Sequence, residues 1–123
     1  LVSTGTQTTR TLSAAELLAT DGIDASVVHV PVLKPLDGEA VLEAVGGHRL
    51  VVTVEEHTVI GGLGSAVAEL IAEAGDARPR LRRIGLQDVY GESGPNDALL
   101  ERYGLSAARV AAQVQVFLTE IPR

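Results

Sequence analysis

The chain has 123 residues, a formal net charge of −6 and an isoelectric point near 4.9, which argues against a phosphate-backbone partner because such a partner needs a basic surface. Apolar residues make up 46% and aromatic residues 2%, so this is one globular domain whose core must come from Val, Leu, Ile and Ala. The absence of Cys rules out disulfide and thiolate chemistry and fits a cytoplasmic protein, and no apolar run approaches the ~20 residues of a membrane span.

In chain order, apolar runs alternate with helical periods. Leu1 to Gly5 reads as the stub of a first strand. Thr8 to Thr20 reads as a helix with Leu12, Ala15, Leu18 and Ala19 on its inner face, stopped by Asp21-Gly22. The Val-rich segment from Ala25 to Val30 is a second strand, ended by Pro31, which lacks a ladder donor. Asp37 caps a short helix with Glu39 in its first turn, where the dipole favours an acid, and Gly46-Gly47 closes it. Leu50 to Val54 is a third strand. A glycine-rich turn over Gly61 to Gly64 leads into a helix from Ser65 to Ala74, with Val67, Leu70, Ile71 and Ala74 at helical spacing. Leu81 to Leu86 is a fourth strand, and Gln87 to Gly94 a loop. Pro95 starts a helix over Asn96 to Tyr103, closed by Gly104. Ser106 caps a last helix reaching Leu118, with Val110, Val114, Phe117 and Leu118 inward.

This alternation implies a three-layer α/β/α fold with a mainly parallel sheet in the order 2-1-3-4. The switch point then lies between strands 1 and 3, with Thr4-Gly5-Thr6 and Glu55-Glu56-His57 following those strands. Two segments have the chemistry of a site. Gly61-Gly62-Leu63-Gly64-Ser65 could present helix-terminal amides to an anion, though it has neither the Lys of a Walker loop nor dinucleotide spacing. Its plainer reading is a tight strand-to-helix turn. Glu55, Glu56 and His57 could form an acid–base group; the plainer reading is that one Glu holds loop amides and caps the turn while His57 packs at an interface. His29 is expected within the second strand and His48 in an exposed turn, and the spacing of the three histidines carries no metal signature. Arg78, Arg80, Arg82 and Arg83 read as a solvated connector and strand edge, with a phosphate or acidic partner as the alternative.

Val54-Glu55-Glu56-His57 running into Gly61-Gly62-Leu63-Gly64-Ser65-Ala66-Val67-Ala68-Glu69 resembles the C-terminal domain of transketolase-like, thiamine-diphosphate-dependent enzymes. Ser3-Thr4-Gly5, Lys34-Pro35-Leu36-Asp37, Tyr90-Gly91-Glu92-Ser93-Gly94, Leu99-Leu100 and Tyr103-Gly104-Leu105-Ser106 agree with it in the right order. The tail looks most like the transketolase C-terminal section that some bacteria encode as a separate subunit; 1-deoxyxylulose-5-phosphate synthase and 2-oxoacid dehydrogenase β subunits are the alternative parents. The resemblance implies a structural and dimerisation domain spanning residues 1–123, lacking the family's antiparallel first edge strand. It implies that no catalytic, cofactor or metal residue lies in this chain. Thiamine diphosphate and a divalent metal, magnesium, would sit between other domains of the parent. The expected partners are those domains or a second subunit, in a homodimer or heterotetramer. A start at Leu1-Val2 and the lack of any Met agree with a piece of a longer protein. Two readings from other classes stand beside it: a free-standing phosphate- or nucleotide-binding module at Gly61 to Ser65, and an enzyme using Glu56 and His57 directly.

Overall fold

The computed structural model describes residues 1–75 and 79–122. Its strands are β1 (Val2–Ser3), β2 (Val28–His29), β3 (Leu50–Thr58) and β4 (Arg80–Leu86); its helices are α1 (Gln7–Thr20), α2 (Gly38–Val45), α3 (Leu63–Glu73), α4 (Asn96–Arg102) and α5 (Ala107–Thr119). The strands form one sheet in the order β2-β1-β3-β4, and each neighbouring pair is parallel. The expected order therefore holds. Parallel strands need both faces covered, and the two apolar clusters show how this is done. Ala14 and Leu18 of α1 meet Val52, Val54 and Ile84 on one face, together with Leu100, Leu105, Val110, Ala111 and Val114. Val41 and Val45 of α2 and Leu63, Val67 and Ile71 of α3 meet Val2, Val30 and Val51 on the other.

The caps follow the sequence chemistry. Asp37 accepts the Ala40 N–H at 3.1 Å, and the Ser106 hydroxyl accepts the Arg109 N–H at 3.3 Å. Several expectations need correction. First, α1 has the right period but the wrong inward stripe. Gln7, Thr11, Ala14 and Leu18 are buried, while Leu12 is half exposed and Ala19 is exposed. Two of the inward residues are polar and hydrogen-bonded, so an apolar stripe was the wrong guide: Thr11 Oγ1 donates to Ser3 Oγ at 3.2 Å, and Gln7 Nε2 to the Leu105 carbonyl at 2.8 Å.

Second, β3 runs four residues further than Val54, so Glu55, Glu56 and His57 are strand residues, not loop residues. Pairing of Thr58 with Leu86 holds the extension beside β4, across an irregular register between Val54 and Thr58. Third, α3 begins at Leu63, two residues before Ser65, and ends at Glu73, leaving Ala74 as its exposed C-cap residue. At the sheet edges, β2 is shorter than expected, and the edge strand β4 carries Arg80, Arg82 and Arg83, with adjacent Arg82 and Arg83 directed to opposite faces of the sheet. Arg78 lies outside the described residues.

Candidate functional site

Strand alternation decides what the consecutive acids at the end of β3 can do. Val51, Thr53 and Glu55 point to the α2–α3 layer; Val52, Val54 and Glu56 point to the α1–α5 layer. The two carboxylates therefore serve different elements and do not form an acid–base pair.

Glu55 is 1% exposed. Its Oε2 accepts the Leu63 N–H at 2.7 Å and its Oε1 the Gly64 N–H at 2.8 Å. These are donors in the first turn of α3, which have no partner within the helix. A carboxylate there also meets the positive end of the helix dipole. The residue eight positions upstream thus replaces a local cap, which accounts for the early start of α3: Gly62, the cap residue, has no side chain to supply one.

The glycine turn is shaped around this carboxylate. A Cβ at Gly62 would lie 2.1 Å from Glu55 Oε2 and 2.9 Å from His57 Nδ1. A Cβ at Gly64 would lie 2.8 Å from both Thr53 Oγ1 and Arg83 Cδ. Positive φ is required only at Gly61, where φ is 75°. The Ser65 hydroxyl accepts the Gly61 N–H at 2.9 Å and donates to the Val59 carbonyl at 3.3 Å; Arg83 Nη1 donates to the same carbonyl at 2.8 Å. The Leu63 and Gly64 amides that could have faced an external anion are held by an internal one. Beside them Thr53 Oγ1 is buried with no hydrogen-bond partner.

On the other face a polar network joins β1, α1, β3 and the α4–α5 turn. Ser3 Oγ donates to the Val54 carbonyl at 2.7 Å. Arg10 Nη1 donates to Gln7 Oε1 and to Glu56 Oε2, each at 3.0 Å, and Thr6 Oγ1 lies 3.4 Å from the same Glu56 oxygen. Gln7 and Arg10 were not foreseen from the sequence. Buried Gln7 and Thr11 lie four apart, one helical turn above Ala14 and Leu18, and that spacing was the available signal.

The histidines stay apart. His29 is exposed, with Nδ1 2.8 Å from Thr8 Oγ1; His48 is exposed after α2. His57 is exposed and lies 3.9 Å from Glu55 Oε2. Of the arginines, Arg82 pairs with Glu120 at 3.0 Å and stacks 5.8 Å from the Phe117 ring centroid, while Arg83 serves the turn as above. Among the described residues no three His, Cys, Asp or Glu side chains are grouped to hold a metal ion, and no helix is long and apolar enough to cross a membrane. With the Leu63 and Gly64 amides engaged and no acidic cluster for a cation among the described residues, the glycine turn does not fit a diphosphate cofactor with its metal.

In this parallel α/β layer the glycine turn is held by Glu55, and Glu56 is engaged by Arg10 on the opposite face of the sheet. The chain belongs to the family described as transketolase, C-terminal domain, whose profile matches residues 1–110. It is 45% identical over 121 residues to the uncharacterized transketolase family protein y4mN of Sinorhizobium fredii, covering 98% of this chain and 35% of that protein. It is 38% identical over 118 residues to 1-deoxy-D-xylulose-5-phosphate synthase 1 of Geobacter sulfurreducens, covering 96% of this chain and 18% of that enzyme. Among solved structures it matches a chain titled "Split gene transketolase, inactive beta4 tetramer" with a TM-score of 0.85 and 49% identity, covering 96% of this chain and 38% of that one. The chain thus spans about a third or less of the curated relatives it matches.

Proposed function

We propose that this chain is the C-terminal section of a transketolase-type enzyme that transfers two-carbon ketol units between sugar phosphates. In this reading thiamine diphosphate and magnesium are held by sections of the parent outside these residues, and this domain completes the assembly. The observation that carries the reading is the family match over nearly the whole chain, on a chain that covers 35% of one transketolase family protein and 38% of a split gene transketolase chain. The cofactor supplies the carbanion chemistry, and the protein supplies position and electrostatics. A section without a cofactor site contributes through rigidity and contact. The polar networks on both faces of the sheet serve that role.

The phosphate-module reading would need free donors at the start of α3, and Glu55 holds those of Leu63 and Gly64. Direct catalysis by Glu56 and His57 would need them to converge, but Glu56 faces Arg10 and Thr6 while His57 sits beside Gly62 on the opposite side. The test measures ketol transfer by this chain alone, by the remaining transketolase section alone, and by the two together. Turnover is expected only from the combination. Saturable thiamine diphosphate binding and turnover by the lone chain would overturn the reading.

A further inference from the structure

Positive charge and aromatic rings meet in one groove. It starts at the α4–α5 turn, runs along α5 and has a volume of about 450 Å³. Arg102, Tyr103 and Gly104 border it at the end of α4, and Arg109, Gln113 and Phe117 border it from α5. No acidic side chain lines it, although the chain has 16 acidic residues against 10 basic ones. The chain holds two tyrosines and one phenylalanine, and one of the tyrosines and the phenylalanine are in this lining. The cleft beside Arg49 is larger, about 610 Å³, but has a single basic group and no ring.

The polar groups of the groove are held in place by the protein itself. Gln113 Nε2 donates to the Gly104 carbonyl at 2.8 Å and to the Arg109 carbonyl at 3.1 Å, so both of its N–H bonds are engaged. Its Oε1 has no hydrogen-bond partner among the described residues and stands as a fixed acceptor. Gly104 permits this approach: its φ is 78°, and a Cβ there would lie 3.1 Å from Gln113 Nε2. Arg102 Nη2 pairs with Glu92 at 3.0 Å, and Arg109 Nε lies 3.6 Å from Glu101 Oε1. Neither glutamate lines the groove. A guanidinium carries several N–H donors, so one such contact orients each arginine and leaves donors for an anion. The Phe117 ring is steadied by the Arg82 guanidinium, 5.8 Å from its centroid.

We propose that this groove binds a nucleoside monophosphate, with Arg102 and Arg109 on the phosphate and the base against Phe117. Two arginines in a lining without acids select a phosphate monoester over a neutral or cationic ligand. An aromatic ring in the same lining favours a planar base over a bare sugar, because every base has a face or edge to offer it. The free Gln113 acceptor prefers a base with an exocyclic amino group, such as adenine. The volume falls within the range of about 300–1,000 Å³ usual for small-molecule sites. The proposal goes beyond the function proposed above and does not depend on it.

Calorimetric titration of this chain with adenosine 5′-monophosphate, adenosine and ribose 5-phosphate separates the two ends of the site. The monophosphate should bind with a Kd of about 0.1–1 mM, and adenosine and ribose 5-phosphate each about 10-fold more weakly. Arg109→Gln should weaken the monophosphate about 10-fold and leave adenosine unchanged. Phe117→Leu should weaken the monophosphate and adenosine about 5-fold and leave ribose 5-phosphate unchanged. Arg80→Gln removes the same charge outside the groove and should stay within about 2-fold of wild type. Circular dichroism checks that each variant is folded. Amide NMR shifts of the wild-type chain locate the site without any variant, and titration should move residues 102–104 and 113–117 most. Absence of saturable binding up to about 10 mM, shifts centred elsewhere, or an equal loss in Arg80→Gln overturns the proposal. Ribose 5-phosphate binding as tightly as the monophosphate overturns the nucleotide assignment in favour of a sugar phosphate.

Discussion

Glu55 gives the sharpest test of how the domain is held together. Its carboxylate accepts two buried amides, those of Leu63 and Gly64, at 2.7 and 2.8 Å. Hydrogen bonds to an ionised group contribute about 1.5–3 kcal/mol each, and losing them here would leave two buried N–H donors without partners. Water entering the vacated space would restore part of this, so Glu55→Ala should cost about 3–5 kcal/mol. In a domain of this size that corresponds to a fall in Tm on the order of 10–20 °C. Glu55→Gln keeps one acceptor and turns an amide NH2 toward the other donor, so about 2 kcal/mol should go. Glu56→Ala is the control, because its pair with Arg10 is partly exposed and should contribute about 0–1 kcal/mol. Thermal denaturation followed by circular dichroism reads all three. If Glu55→Ala melts within about 2 °C of wild type, a shift worth less than 1 kcal/mol, or if Glu56→Ala is the more damaging change, the assignment of Glu55 as the cap of α3 is wrong.

The glycines of the turn should fail for different reasons. Gly62→Ala drives a methyl group against the Glu55 carboxylate and should lose about 3 kcal/mol; Gly61→Ala meets open space and should lose about 1–2 kcal/mol through its left-handed backbone alone. Chemical denaturation with a common m-value separates the two, and equal losses would contradict the close approach at Gly62. Thr53→Val should be neutral or raise stability by about 1 kcal/mol, since it removes a buried hydroxyl without a partner; a marked drop in the denaturation midpoint would mean that the hydroxyl is satisfied. Gln7→Ala should cost about 1–3 kcal/mol by freeing the Leu105 carbonyl and one contact of Arg10, and faster hydrogen exchange at residues 104–106 would accompany it. Unchanged exchange there would count against the link between α1 and the α4–α5 turn.

The order of the strands and the caps at Asp37 and Ser106 were legible because they rest on local chemistry and on the handedness of parallel crossovers. A Glu holding loop amides at the glycine turn was also foreseeable, since that turn brings several amides together; which Glu does so depends on strand parity. Parity could not be read while the strand was taken to end at Val54. The inner face of α1 was misread because Gln7 and Thr11, though spaced to continue the stripe of Ala14 and Leu18, are polar and are buried through hydrogen bonds to partners as distant as Leu105. The need for Gly at 62 and 64 likewise comes from side chains of β3 and β4 that only the folded sheet brings close.

The pairing of α1 with α5 also bears on the order in which this domain can form. The first helix buries Ala14 and Leu18 against Val110, Ala111 and Val114 of the last one, and Gln7 reaches a carbonyl 98 residues away. β1, the earliest strand, is an interior strand whose neighbours β2 and β3 follow it in the chain. A nascent chain therefore exposes the inward side of α1 until nearly all of the domain has left the ribosome. Contacts of such long sequence separation are slow to close, so folding should be late and all-or-none rather than stepwise from the N-terminus. A ribosome-bound chain stalled before Ala107 should remain protease-sensitive throughout, and release of the final helix should convert it to the resistant form in a single step.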